Sequence, residues 1–242
     1  MMAPPPRGIL VVDLMLQTKP EPSSALDARW VSEALRLYRR YELEIVEAHD
    51  FCPWAARVRL DGRLAERVML QTDEADLAPS LATLNALGPG VDLALFIYPR
   101  LELAKEPFER FTARIREAEV ARKPAGEAPF VMVAFHPDAT ANLEESERLI
   151  PFLRRTPDPT IQVVRSKVLD KVRGPIAEGT QFMDPLQMTD TWQPQGRSLR
   201  ERIADANLAT VLRVGLETVK QQLDEIARDR RETYVRLREG LL

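Results

Sequence analysis

Val91-Asp92-Leu93-Ala94-Leu95-Phe96-Ile97-Tyr98 is the middle one of three apolar segments whose reading decides the fold. The others are residues 64–71 and 129–135, and all three are rich enough in branched and aromatic residues to read as strands. Between them the spacing predicts helices at 76–87 and 105–121. Strand, helix, strand, helix, strand calls for a small sheet layered with helices. The class is α+β, or α/β, with a ferredoxin-like arrangement as one option.

Working outward, Leu26, Trp30, Val31, Ala34, Leu37, Tyr38, Tyr41 and Ile45 recur every three to four positions, which predicts one amphipathic helix over 25–48. It stops near Cys52-Pro53. After the third strand come a loop and a short helix at 144–153. Thr156-Pro157-Asp158-Pro159 must then be extended or turning, because each residue before a proline is pushed out of the α region. Residues 161–165 add a further short strand or the start of a helix. Residues 174–196 carry little periodicity and read as a long loop that could close over a site. Helical spacing then runs unbroken over 199–237, from Ile203 to Ile226, and ends in a stretch that is nearly all charge. The expected organisation is a flexible, proline-rich extension at 1–24, one α+β domain at 25–226, and a charged helical tail at 227–242. Within the extension, 8–16 is a candidate strand or a segment that docks on a partner.

A chain of 242 residues, 45% hydrophobic and 29% charged, buries a sizeable core without staples. Its net charge of -3 gives no electrostatic reason to bind nucleic acid. The apolar run at 8–16 is interrupted by Asp13 and falls far short of the ~20 residues of a membrane span. No cleavage site of the secretory kind follows it. A single cysteine, Cys52, cannot form an internal disulfide, so cysteine usage points to the cytoplasm.

The residues that could carry chemistry are few. Cys52 stands in His49-Asp50-Phe51-Cys52-Pro53-Trp54, and His136 closes the third strand in Phe135-His136-Pro137-Asp138, at the strand end where α/β sites usually form. If the segments meet, Cys52 is the nucleophile or redox thiol, His136 the base or donor, and Asp138 the carboxylate that fixes the histidine tautomer. At the C-terminal end of the long helix the dipole would raise the Cys52 thiol pKa, whereas with Pro53 at the first position of a new helix Cys52 would cap that helix and its thiolate would be favoured. Buried cysteine and hydrogen-bonded histidine are the structural alternatives. Arg154, Arg155 and Arg165 bracket the proline-stiffened stretch. Since guanidinium pairs with carboxylate or phosphate through two parallel bonds, an anionic small molecule is the expected guest. Arg155, Arg165 and Trp54 are the substrate-binding candidates. His49 and Cys52, three apart on one helical face, could join His136 and Asp138 in a metal site. Cys52-Pro53 also permits a haem thiolate. No phosphate-binding glycine loop, dinucleotide fingerprint or nucleophile elbow occurs, so neither ATP nor NAD is implied and no cofactor is named.

In order and spacing these segments resemble a bacterial family known only as a domain of unknown function, whose pattern runs Leu-Cys-Pro-Phe-Ala, Phe-His-Pro-Asp, then Arg-Ser-Pro-x-Pro, an apolar stretch and Arg. Phe51-Cys52-Pro53-Trp54-Ala55, Phe135-His136-Pro137-Asp138 and Arg155-Thr156-Pro157-Asp158-Pro159 with Arg165 match it, and Asn207-Leu208-Ala209-Thr210 resembles a further Asn-Ile-Ala-Thr stretch. The resemblance spans 25–226. It implies that Cys52, His136, Arg155 and Arg165 are shared features, and it implies no reaction. His49 falls where the family has an apolar residue, and Trp54 stands where it has Phe. Three functions are therefore expected to compete. One is a cytosolic small-molecule enzyme or binding domain built on a Cys52 and His136 pocket. The second is a scaffold that forms homo-oligomers through its C-terminal helix. The third is a metal or haem protein.

Overall fold

The structure is a computed structural model that describes residues 24–52, 54–123, 129–173 and 199–241. The three apolar segments form β1 (Leu64–Val68), β2 (Leu93–Ile97) and β3 (Phe130–Phe135), and the stretch after Pro159 forms β4 (Thr160–Arg165). They make one sheet in the order β1-β2-β4-β3. β1 and β2 are parallel, and β4 is antiparallel to both of its neighbours. Three strands thus point one way, so the ends of β1, β2 and β3 and the start of β4 gather at one side of the sheet. The α+β class holds. Its ferredoxin-like variant does not, because that topology needs two consecutive strands between its helices, whereas here a helix separates every strand from the next.

β2 reads as an unbroken apolar run because both of its faces are covered. Ala94 and Phe96 meet α3 (Ala78–Asn85) and α4 (Lys105–Val120), where Phe108, Phe111 and Ile115 also cover Met132 of β3 and Ile161 and Val163 of β4. Leu95 and Ile97 face the opposite layer, which contains α1 (Ala25–Tyr41), α5 (Ser146–Leu153), α7 (Leu199–Val214) and α8 (Leu216–Arg238). Short helices α2 (Ala55–Leu60) and α6 (Ser166–Arg173) complete the described elements.

Two helices differ from their sequence patterns. α1 starts where the Ser24 hydroxyl accepts from the Asp27 amide, and it buries Trp30, Ala34, Leu37, Tyr38 and Tyr41 as expected. It then widens at Glu42–Glu47 into a π-helix, with the Ala48 amide donating five residues back to Leu43. This turn carries Glu42 inward beside Arg39 and Ile45 into the core. The long C-terminal helix is not continuous. Gly215, at φ 98°, stops α7 in a conformation that side chains resist, and its carbonyl accepts the Val219 amide in the first turn of α8. The chain thereby turns α8 onto α1. The charged stretch beyond residue 226, expected as a helical tail outside the domain, buries Thr233, Tyr234 and Leu237, while Asp229 binds both Arg36 and Arg40. Residues 1–23, including the segment 8–16, and the loop expected at 174–196 lie outside the described residues. Among the described residues no helix is long and apolar enough to cross a membrane.

Candidate anion site beside β3

His136 leaves the end of β3 with 4% of its surface exposed and its ring near Phe108. Nε2 lies 2.9 Å from the Leu103 carbonyl and Nδ1 3.1 Å from the Asp138 amide. A carbonyl only accepts and an amide only donates. The ring is therefore the neutral tautomer with its proton on Nε2, and both nitrogens are occupied. Asp138 does fix the tautomer, but through its backbone. Its carboxylate is 3.7 Å from Nδ1 and 70% exposed. His136 ties the exit of β3 to the loop after β2 and has no lone pair free to act as a base.

Cys52 ends the turn after the π-helix. Cys52 does not cap α2 as expected, because that helix starts at Ala55 with Trp54 at its cap; the Trp54 and Ala55 amides still reach the sulfur, yet burial outweighs them and pushes the thiol up. No hydrogen bond or ion pair joins Cys52 to His136 among the described residues. The thiol lies instead within the influence of Arg154, near the Tyr41 phenol that donates to the Leu153 carbonyl at 2.6 Å. Trp54 is half-buried at the start of α2. His49 hydrogen-bonds Gln222 at 2.8 Å, and among the described residues no three His, Cys, Asp or Glu side chains gather as a metal would require.

The two arginines expected to bind substrate, Arg155 and Arg165, are both engaged by the protein. Arg155 donates to the Pro137 carbonyl at 2.9 Å and to Asp224 at 3.0 Å, pinning the His-Pro-Asp turn to α8. Arg165 donates to the Val91, Leu87 and Gly88 carbonyls at 2.6, 3.2 and 2.6 Å, so it holds the loop between α3 and β2. Both guanidiniums thus spend their fixed donors on the protein itself, Arg165 on carbonyls and Arg155 on a carbonyl and a carboxylate.

Arg154, the residue before, is different. It caps α5, its guanidinium lies 5.1 Å from the centre of the Phe135 ring, and burial works against its charge. Among the described residues no carboxylate partners it. Arg154 lines a cavity of about 320 Å³ together with Lys105, Arg116, His136 and Glu109. Lys105 stands 3.7 Å from Glu109, and among the described residues Arg116 and Arg154 have no acidic partner in the cavity. Cys52 and Trp54 line neither this cavity nor a larger one of about 610 Å³ at the ends of β1 and β2. In the larger cavity Arg100 is paired with Asp27, Arg238 with Glu102, and Asp73 and Glu74 are on the wall, so its charge is already balanced. An anion is favoured in the smaller one.

Sequence alone places Arg154 and Arg155 side by side without saying which is spent on the fold. The family-like motif singles out Arg155, and only the packing of α5 on the sheet turns Arg154 to the cavity. Comparison with protein-family models, curated protein sequences and solved structures finds no match for this chain.

Proposed function

We propose that the protein is a binding domain for an anionic group, taken up in the cavity between α4 and α5 with Arg154 as its anchor. Lys105 and Arg116 supply further positive charge, and the fixed His136 ring forms part of the wall. The observation that carries this reading is a guanidinium held against its own desolvation, with no acidic partner among the described residues. An arginine in that position gains most when an anion arrives, because charge-assisted hydrogen bonds replace poor solvation.

Inorganic phosphate is a direct probe. Titration calorimetry on the full chain is expected to give binding that weakens with added salt, and Arg154→Gln is expected to raise Kd about tenfold or more, the worth of one hydrogen bond to a charged group. An affinity that is the same for wild type and Arg154→Gln sinks the reading.

The thiol-enzyme alternative draws on the proximity of Cys52 to Arg154 and makes the opposite demand on the sulfur. With burial dominating, labelling of native Cys52 by iodoacetamide is expected to be slower than that of a free thiol at pH 7 to 8, and to accelerate only above the ordinary thiol pKa of about 8.5. Fast labelling near neutrality, with a midpoint below that value, would restore Cys52 as a nucleophile.

A further inference from the structure

We propose that the anionic group is carried on an extended peptide, which adds to the sheet as a strand along the free edge of β3. This deepens the reading of Arg154 as an anion anchor and rests on it. The sheet order ends at β3, so one long edge of that strand has no neighbour among the described strands. The hydrogen-bonding phase of that edge follows from its partner. The Ser166 amide donates to the Pro129 carbonyl, and on the other side of β4 the Arg165 amide donates to Asp92 and the Tyr98 amide to Pro159. In β4, residues 160, 162 and 164 therefore face β3, and through the register Val131, Val133 and Phe135 spend their backbone groups on them. Phe130, Met132 and Ala134 turn theirs to the outside.

The cavity lies along this edge. Met132, Val133 and Ala134 all line it, although consecutive strand residues point to opposite faces, so the space touches the backbone edge itself. Lys105 and Arg116 of α4 stand on one side and Arg154 after α5 on the other. A strand edge recognises a backbone of any sequence, while the flanking cations select what its side chains carry. The fitting partner is an extended segment with adjacent glutamates or aspartates, because successive side chains of a strand point to opposite faces and so reach the cations on both sides. A second copy of this chain fits poorly, since pairing β3 with β3 would bring two sets of the same cations together.

The test uses fluorescein-labelled valine-rich peptides carrying two adjacent glutamates with the full-length protein, read by fluorescence anisotropy, beside the phosphate titration. The glutamate peptide is expected to bind. Replacing its glutamates by glutamines, or methylating alternate backbone nitrogens, is expected to weaken binding at least about tenfold, and Arg154→Gln to do the same. Because the methylated peptide is measured against wild-type protein, this arm does not depend on a variant folding. If phosphate binding depends on Arg154 but the glutamate peptide does not bind, or binds no better than its methylated form, strand addition is overturned and the anion site stands. If neither ligand responds to Arg154, both fall. Sedimentation showing a dimer that the peptide cannot disrupt also overturns strand addition, with a second copy as the occupant.

Discussion

A chain ended at Gly215 is expected not to reach the native fold. The deletion removes α8, which buries Val219, Leu223, Ile226, Tyr234 and Leu237, each no more than 3% exposed. At about 1.5 to 3 kcal/mol for each large apolar side chain, the loss is about 8 to 15 kcal/mol, as large as the whole stability of an ordinary domain. It also opens the layer over Leu95 and Ile97, because Val219, Leu223 and Ile226 belong to that cluster. Circular dichroism in the near ultraviolet and a melting curve check this. A truncated protein that still melts cooperatively near the wild-type temperature, with only a smaller assembly mass, would return α8 to the role of an oligomerisation arm.

Replacing Asp158 by alanine is expected to cost about 3 to 5 kcal/mol, the range found when one member of a buried charge pair is removed. The carboxylate is 1% exposed. It accepts from Arg230 Nε at 2.6 Å and from the Tyr234 hydroxyl at 2.7 Å, so the alanine variant strands a cation and a phenol together. Arg230, 27% exposed, can partly turn to water, which places the value toward the lower end. Tyr234→Phe, which removes one hydroxyl and leaves the ion pair, should cost only about 1 kcal/mol. Urea unfolding of the two single variants and the double variant separates the terms, and a loss below about 1 kcal/mol for Asp158→Ala defeats the account. The pH dependence has a definite sign. Burial raises the Asp158 carboxyl above its ordinary value despite Arg230 and Tyr234, so the folded state takes up the proton first. This group's contribution grows as pH falls through its folded value toward the unfolded value of about 3.9, and the margin of wild type over Asp158→Asn should widen over that interval.

The loop that presents Asp158 has its own support. The Thr156 and Thr160 hydroxyls both donate to the Asp158 carbonyl, and the Tyr98 amide donates to the carbonyl of Pro159. The same proline-stiffened stretch that suggested a ligand-binding segment is thus a junction between β2, β4 and α8. Arg155 and Arg165 serve neighbouring junctions. What resembles a set of binding motifs is in large part the machinery that fixes the sheet ends.

Some of this was legible in advance, for reasons visible in single elements. β2 could be read because a strand covered on both faces is apolar throughout, and α4 because Phe108, Phe111 and Ile115 keep the helical interval. The break at Gly215 could not be read, since helical spacing continues on both sides and one glycine costs a helix only about 1 kcal/mol. Burial of the charged end of α8 was equally hidden. Tyr234 and Leu237 are two apolar residues among charges, and their value depends on Trp30 and Leu37 of α1 being opposite them.

By itself the sequence determined the alternation of strand and helix, the apolar face of α1 and the short inventory of reactive groups, because periodicity and residue chemistry are local properties of the chain. Tertiary structure alone decided the strand order, the place of β3 at the end of the described sheet, the occupied nitrogens of His136 and the choice of Arg154 over Arg155 as the cation with no acidic partner among the described residues. Those outcomes depend on which backbone carbonyls, amides and carboxylates arrive beside each side chain from distant parts of the sequence.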